Sequence, residues 1–405
     1  MRGSIVKRTL KDGRKAAYYC VVEEVTPDGK RRRRWHSDPV TKAGFTDKAN
    51  AQTYLAKLLV GLDAGTYAVP DNCTLDQWLD HWLSTKTRLK ASTLSGYKKK
   101  LDTHVRPRIG SMRLQRIDYD VCVRLLADLD TGGRADHRKG EPLSAATVRQ
   151  VSTILSSALT AAADSGRIAV NPMPKVARAR KGSGAKAAKR PVKAWTPQEV
   201  GRFLTATADD STFAPLWRFL IATGVRRGEA LGLRWVDLDL DARTATIEHT
   251  RLKVDGKVIV DTPKTAAGHR SIPLDAVTVA AMKVHRAKQA EQRLMLGLGK
   301  PSTDDYVFCD PTGVPLHPER VSKVFAQQVR ALDGLTPLTP HGLRHTWASS
   351  ALRAGVSPKV VQERLGHAHV SVTLGVYSHL LGDDMQVQAA DLVAGLFDAA
   401  IADGR

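Results

Sequence analysis

The sequence has little of what would place a protein in a membrane, outside the cell or under disulfide control. No apolar run approaches the roughly eighteen residues that a bilayer-spanning helix needs, which excludes insertion. The N-terminus, Met1-Arg2-Gly3-Ser4, lacks the apolar core of a secretory signal, so a cytoplasmic protein is expected. Cysteine is scarce: Cys20, Cys73, Cys122 and Cys309 stand far apart with no CxxC pair. They support neither a disulfide framework nor a cysteine zinc site and are expected to be buried, reduced and inert. Negative charge is also short, with 41 Asp and Glu against 62 Lys and Arg and a formal net charge of +21. That surplus calls for a polyanionic partner, and with membrane insertion set aside the expected partner is DNA.

What is present is globular. Hydrophobic residues make up 42% and charged residues 25% of the 405 positions, which argues against disorder and, at this length, for two or three domains. Residues 1–65 alternate in a strand-like way over Ala17–Val22, turn at Pro27-Asp28-Gly29, and resume with Lys30, Arg31, Arg32, Arg33 and Arg34 before Trp35. This reads as a hairpin followed by a helix that Thr46 caps and that Ala49, Tyr54, Leu55, Leu58 and Leu59 anchor. A charge run is ordinarily a solvated surface, but five basic residues on a strand leading into a tryptophan favour phosphate contact.

Between 73 and 175 the period becomes helical. Thr74 caps a helix with Leu75, Trp78, Leu79, Trp82 and Leu83 on one face. Ser92 or Thr93 opens a second, with Leu94, Tyr97 and Leu101 inward and Lys98, Lys99 and Lys100 outward. Asp118–Leu129 and Ser144–Ala163 complete an all-helical bundle, and the lysine cluster is its candidate DNA face. Residues 176–193 form a basic linker. The stretch from Lys175 to Lys193 holds eight basic residues, Lys181 among them, no acidic residue, and the flexible Gly182-Ser183-Gly184. Such a tether can lie along a duplex, although a merely solvated linker fits the composition equally well.

A capping box, Thr196-Pro197-Gln198-Glu199, opens the last domain, residues 194–405. It reads as mostly helical with a small three-stranded antiparallel sheet, its strand-like segments lying near 244–250, 257–261 and 270–274. A closing helix over 383–400, with Val387, Leu392, Leu396 and Phe397 at helical spacing, is expected to pack on its own domain. The fold class is therefore multidomain and mainly α: a small α+β N-terminal domain, an all-α second domain and a mostly helical third.

The chemistry sits in that third domain. In Thr223-Gly224-Val225-Arg226-Arg227-Gly228-Glu229, Gly224 can end one helix and release the chain into another that starts at Arg226, where a guanidinium fork joins the positive end of a helix dipole. In Thr339-Pro340-His341-Gly342-Leu343-Arg344-His345, the cap and the first-turn proline open a helix that sets His341 and Arg344 on one face. Leu365-Gly366-His367 follows, then Tyr377 in Gly-Val-Tyr-Ser-His. Taken singly, each has a bland reading: a surface arginine paired with a glutamate, a solvated turn lysine at Lys264, a half-buried core tyrosine.

In combination, Thr-Gly-Val-Arg-Arg-Gly-Glu, Pro-Lys-Thr, His-Gly-Leu-Arg-His, Leu-Gly-His and Val-Tyr-Ser resemble the tyrosine recombinase, or phage integrase, family in order and spacing. The helical segment before them resembles the family's core-binding domain, and residues 1–65 resemble an arm-binding domain. The resemblance implies that Arg226 and Arg344 hold the scissile phosphate, that Lys264 is the general acid and that Tyr377 is the nucleophile. It places His341 at the first histidine position, His367 where relatives carry His or Trp, and Glu229 as a support for Arg226.

The chemistry is consistent with those roles. Non-bridging phosphate oxygens gain charge in the transition state, and two guanidiniums placed there stabilise it without a metal. A phosphotyrosyl bond conserves the energy for religation, so neither ATP nor any other cofactor is expected. The implied partners are double-stranded DNA attachment sites, a homotetramer on DNA and an excision or directionality factor. Three rivals remain: a type IB topoisomerase, against which the N-terminal domain argues; a DNA-binding regulator without chemistry; and a metallohydrolase on His341 and His345. The last has zinc spacing but Gly342 where HExxH carries glutamate.

Overall fold

The computed structural model describes residues 3–9, 16–25, 31–38, 41, 43–63, 72–134, 140–182, 193–263, 266–377 and 394. The chain divides into two compact units, Met1–Ala187 and Ala188–Arg405. No described helix is long and apolar enough to cross a membrane.

The first unit begins with an antiparallel sheet in the order β1 (Gly3–Thr9), β2 (Ala16–Val25), β3 (Arg31–His36), covered by α1 (Lys48–Asp63). The β2–β3 pair is the expected hairpin; β1 is an additional strand. Alternation decides which side chains meet the helix. Cys20, paired with His36, faces α1, where its thiol donates to the Ala51 carbonyl at 3.2 Å. Val21, paired with Trp35, and Glu23, paired with Arg33, point the other way. The basic run is thereby split, with Arg33 and Trp35 on the open face and Arg34 on the helix face. Arg31 and Arg32 share the strand, and their side chains lie outside the described residues. On the open face the Arg8 guanidinium sits 4.3 Å from the Trp35 ring centroid, and Arg33 pairs with Glu23 at 3.1 Å. That exposed pair is worth about 0–1 kcal/mol, too little to keep Arg33 from a phosphate. Asp47 rather than Thr46 caps α1, its carboxylate accepting from Ala49 N–H at 3.2 Å.

The helical bundle follows in the same unit: α2 (Leu75–Ser84), α3 (Ala91–Lys100), α4 (Tyr119–Thr131), α5 (Ala145–Asp164) and α6 (Met173–Gly182). The cap expected at Thr74 is made by its side chain, and Asp118 and Ser144, the first residues of the two later helical spans, cap α4 and α5 in the same way. Ser92 and Thr93, by contrast, lie inside the first turn of α3, whose N-cap position is Lys90. Beyond Lys100, α3 continues as a wider π-type turn over Leu101–Gly110 that accommodates Pro107, a residue with no N–H to give an α-helical bond. Leu75, Trp78, Leu79, Trp82, Leu101, Leu125 and Leu155 form the core, with Trp78 Nε1 donating to the Ala158 carbonyl at 2.9 Å. Lys98 and Lys99 are exposed, as expected of outward positions, whereas Lys100 is half-buried. The segment expected as linker does not begin at 176: Val176 is fully buried in the bundle core, so α6 carries helical order through Gly182. Lys181 lies on that last turn, and its side chain is outside the described residues.

The second unit is mostly helical: α7 (Pro197–Ala206), α8 (Ala214–Thr223), α9 (Arg227–Gly232), α10 (Ala276–Met295), α11 (Pro318–Arg330), α12 (Pro340–Arg353), α13 (Pro358–Leu365) and α14 (Val370–Tyr377). Trp195, Phe203, Trp217 and Phe325 make an aromatic core, with Trp217 and Phe325 rings 5.1 Å apart. Trp195 pins the start of this unit, donating from its ring to Thr336 O at 2.7 Å and from its backbone to Thr346 Oγ1 on α12 at 3.0 Å.

The three-stranded antiparallel sheet is present with a different membership. It comprises β4 (Leu238–Asp239), β5 (Thr244–Ile247) and β8 (Arg270–Pro273), in that order, while β6 (Thr250–Val254) and β7 (Lys257–Asp261) pair apart as a hairpin. The segment 244–250 breaks after Ile247, and the hairpin turns through Asp255 (φ 47°) and Gly256 (φ 84°), both in the left-handed region that two-residue hairpin loops require. The closing helix expected over 383–400 lies outside the described residues. Of the cysteines, Cys20, Cys122 and Cys309 are buried and all four are free; burial pushes the Cys122 thiol up to about 12 and Cys309 to about 11, which keeps both protonated.

Candidate active site

Three chain reversals bring the motifs of the second unit together. Gly224 ends α8 at φ 67°, and Arg226 takes the N-cap position of α9 in an extended conformation. A Cβ at Gly224 would stand 3.1 Å from the Trp347 ring on α12 and 3.2 Å from Leu365, which shows how closely the first motif packs on the other two. Gly366 ends α13 at φ 66°, where a Cβ would lie 2.7 Å from the Ala267 carbonyl oxygen and 3.0 Å from Arg270 Nη1. Glycine is required at both points by conformation and by space.

Arg344 is 2% exposed and anchors this convergence: Nη1 donates to the Gly224 carbonyl at 3.1 Å and Nη2 to the Leu365 carbonyl at 2.5 Å. Its charge is thus oriented by the same two loops that carry Arg226 and His367. Charge-assisted bonds of this kind contribute about 1.5–3 kcal/mol each. Thr339 occupies the N-cap position of α12 but makes no side-chain cap bond there; Pro340 fills the first turn as expected.

Glu229 organises the other side. It is 3% exposed, accepts from the Arg226 backbone N–H at 2.9 Å and guanidinium at 2.6 Å, and accepts from Arg270 Nη2 at 2.9 Å. Burial alone would raise its carboxyl; the hydrogen bond and charge of Arg270, then the charge of Arg226, overcome that and hold it below the ordinary carboxylate range. Removing one partner from so buried a pair costs about 3–5 kcal/mol. The Arg226 side chain remains 42% exposed and free to meet a ligand oxygen.

Two imidazoles share the site. His367 is held by a 2.9 Å bond between Nδ1 and Thr373 Oγ1, its backbone N–H donates to Gln362 O at 3.1 Å, and its carbonyl accepts from the Gln362 amide. Burial first, then the charges of Arg344 and Arg226, pushes it down to about 4. His341, edge-to-face with His345 at 4.8 Å, is pushed down to about 4 by burial, then His345, Arg344 and Arg226. Both are neutral at neutral pH, able to accept or relay a proton. A cleft of about 470 Å³ beside His341 is lined by Lys193, Leu338, Thr339, His341 and His345.

Arg226, His341, Arg344 and His367 therefore occupy one site. Tyr377 is the last residue of α14, and its side chain lies outside the described residues, as does Lys264. Pro263, just before Lys264, packs closely on Gly268, where a Cβ would collide with the Pro263 ring. Lys98, Lys99, Lys100, Lys181 and Arg31–Arg34 belong to the first unit. Sequence reasoning missed Arg270: it sits in no motif, and nothing in His-Arg-Ser-Ile-Pro signals that the arginine is buried.

A site that converges two guanidiniums and two neutral imidazoles beside a cleft, on a mainly helical unit, is built for an oxyanion such as a phosphodiester. The profile of the phage integrase family matches residues 193–383, and that of the phage integrase N-terminal SAM-like domain matches residues 74–129, together more than half of the chain. A tyrosine recombinase XerC-like protein of Caldanaerobacter subterraneus subsp. tengcongensis is 24% identical over 347 residues, 82% of this chain and 86% of the relative. Among solved structures, the Tn1549 transposon integrase in complex with transposon right end DNA superposes with a TM-score of 0.65 at 23% identity, covering 79% of this chain and 100% of the other. A lambda integrase tetramer bound to a Holliday junction gives a TM-score of 0.53 at 22% identity, over 86% and 96% of the two chains. The chain belongs to the phage integrase, or tyrosine recombinase, family, and its activity is site-specific recombination of DNA.

Proposed function

We propose that the chain integrates or excises a phage or integrative mobile element by cutting and rejoining duplex DNA through a 3′-phosphotyrosyl bond to Tyr377. The observation that carries this reading is the convergence of Arg226 and Arg344 with two neutral histidines, His341 and His367, at one site. The Tyr377 phenolic oxygen forms a bond to phosphorus as the P–O5′ bond breaks, and Lys264 delivers a proton to the departing 5′-oxygen. Arg226 and Arg344 neutralise the charge that grows on the non-bridging oxygens. His341 and His367, neutral at the working pH, accept the tyrosine proton or hydrogen-bond a phosphate oxygen. A 5′-hydroxyl from a partner strand then attacks phosphorus, releasing Tyr377. No bond energy is lost between the two steps, so no nucleotide is consumed.

Residues 1–65 serve as a separate reader of distant arm sites through the open sheet face that bears Arg8, Arg33 and Trp35. The helical bundle holds the core site through Lys98, Lys99 and Lys100, and the basic stretch around Lys181, which leads from the bundle to the catalytic domain, lies along the duplex. Four protomers act on two attachment sites in the host cytoplasm, with a directionality factor selecting excision.

The test is Tyr377→Phe. It should bind DNA as the parent does, because Arg and Lys contacts to phosphate supply most of the affinity, and should form no covalent adduct on a denaturing gel. A slow protein–DNA band that persists in the Phe variant would place the nucleophile elsewhere.

A further inference from the structure

Arg270 is a buried charge to which the reading above gives no task. It lies on β8, and its side chain is 8% exposed. Each of its three guanidinium nitrogens donates to a different segment: Nη2 to Glu229 Oε2 at 2.9 Å, Nε to the Arg364 carbonyl at 2.7 Å and Nη1 to the Gly268 carbonyl at 3.0 Å. Glu229 in turn accepts from Arg226, and the residue after Arg364 is Leu365, whose carbonyl accepts from Arg344. One guanidinium thus stands one carboxylate away from Arg226 and one peptide unit away from the carbonyl that holds Arg344, the two arginines assigned above to the phosphate.

The geometry also explains the residue type. Three acceptors lie in three fixed directions, which a planar five-donor fork can satisfy and a lysine ammonium on a flexible stem cannot. Glu229 is shared: Oε1 accepts from the Arg226 guanidinium, while Oε2 accepts from Arg270 and from the Arg226 backbone N–H. Without Arg270 the carboxylate would be left to close on Arg226 with both oxygens and draw its guanidinium back from its exposed position. The α13 end would lose the bond at Arg364 that ties it to β8.

We infer that Arg270 is a positioning residue, which fixes Arg226 and Arg344 at the separation that one phosphate requires. It touches no reacting atom and acts through Glu229 and the Arg364–Leu365 backbone. The inference rests on the proposed phosphoryl chemistry. A staple of the fold alone would have the same contacts but a different kinetic signature.

The experiment uses the full chain and a duplex recovered from a randomised library by its covalent capture on the protein. A second version carries a methylphosphonate at the cleaved position, where a methyl group replaces one non-bridging oxygen and removes the charge that the arginines compensate. Single-turnover adduct formation is measured for the unsubstituted protein, Arg226→Ala, Arg270→Lys and Arg270→Ala. Arg270→Lys should lose about 10- to 100-fold on the phosphate, the order expected for a misplaced catalytic group. On the methylphosphonate it should lose markedly less, in parallel with Arg226→Ala. An equal loss on both substrates, or no loss on the phosphate, would overturn the inference. If Arg270→Ala does not fold, Arg270→Lys decides alone, since it keeps a positive charge beside Glu229. Failure of the unsubstituted protein to capture any duplex would instead overturn the proposed function, and the inference with it.

Discussion

Replacing Gly366 by alanine should damage stability and catalysis together, and a second glycine allows the two causes to be separated. Gly366 has φ 66°, and a Cβ there would press on the Ala267 carbonyl oxygen at 2.7 Å and on Arg270 Nη1 at 3.0 Å. Gly355, which follows α12, has φ 81° and open space around its Cβ position. Both substitutions carry the left-handed penalty of about 1–2 kcal/mol. Only Gly366→Ala adds overpacking against backbone, about 1–3 kcal/mol more. The expected difference between the two is about 2 kcal/mol, or about 4–8 °C in Tm for a unit of this size. Because relief of the clash must move the loop that carries His367 or the guanidinium of Arg270, Gly366→Ala should also lose about 100-fold in cleavage. Gly355→Ala should cleave as the parent does. Thermal unfolding and single-turnover cleavage of both variants give the answer. Equal Tm values, or a Gly366→Ala protein with parental cleavage, would refute the packing argument.

His367 is held near 4 by burial and by Arg344 and Arg226, so the unfolded chain, with an ordinary imidazole near 6.5, takes up this proton first as pH falls. Its share of stability is complete above about pH 6.5 and is lost from there to about pH 4, at most about 3 kcal/mol and less for a half-buried ring. Urea unfolding across that window should show the slope, and His367→Asn should lessen it, leaving the share of His341, which is lowered to about 4 as well; an unchanged slope would count against the assignment. Lys264→Ala should lose on the order of 10²–10⁴-fold in cleavage and regain most of it on a 5′-bridging phosphorothiolate, whose thiolate leaves without a proton. Arg226→Ala should not be rescued to that extent, and equal rescue of both would dissolve the division of labour between them. Cleavage should continue undiminished in excess EDTA without nucleotide; activity that depends on added zinc or magnesium would contradict charge stabilisation by arginine.

The sequence made the order of the chemistry legible and left its mechanical support hidden. The family resemblance implied that Arg226, His341, Arg344 and His367 share a site, and the fold brings the four together through chain reversals at Gly224, Thr339-Pro340 and Gly366. Caps at Thr74 and Thr196 were readable from polar residues set just before apolar periods. Ser92 and Thr93 misled, because a hydroxyl inside the first turn looks the same in sequence as one at the cap. The sheet was misassigned in detail because strands 244–250 and 257–261 were read without the Asp255-Gly256 turn signal between them. Buried ion networks were the least visible. Arg270 looks like a surface residue until the fold removes it from water, and no local pattern records that removal; Glu229 was named as a support for Arg226 only through the resemblance.

The central claim is that Tyr377 carries the DNA, and one measurement addresses it directly. The protein is mixed with a randomised duplex library in EDTA, covalent adducts are isolated under denaturing conditions, and protease and nuclease digestion leaves a nucleotide-modified peptide for mass spectrometry. The predicted result is a single modified peptide spanning Val370 to Tyr377, with the phosphodiester on the tyrosine oxygen, 3′-linked to DNA, and no adduct from Tyr377→Phe. A modification on any other residue, or an adduct linked through a 5′-phosphate, would contradict the account.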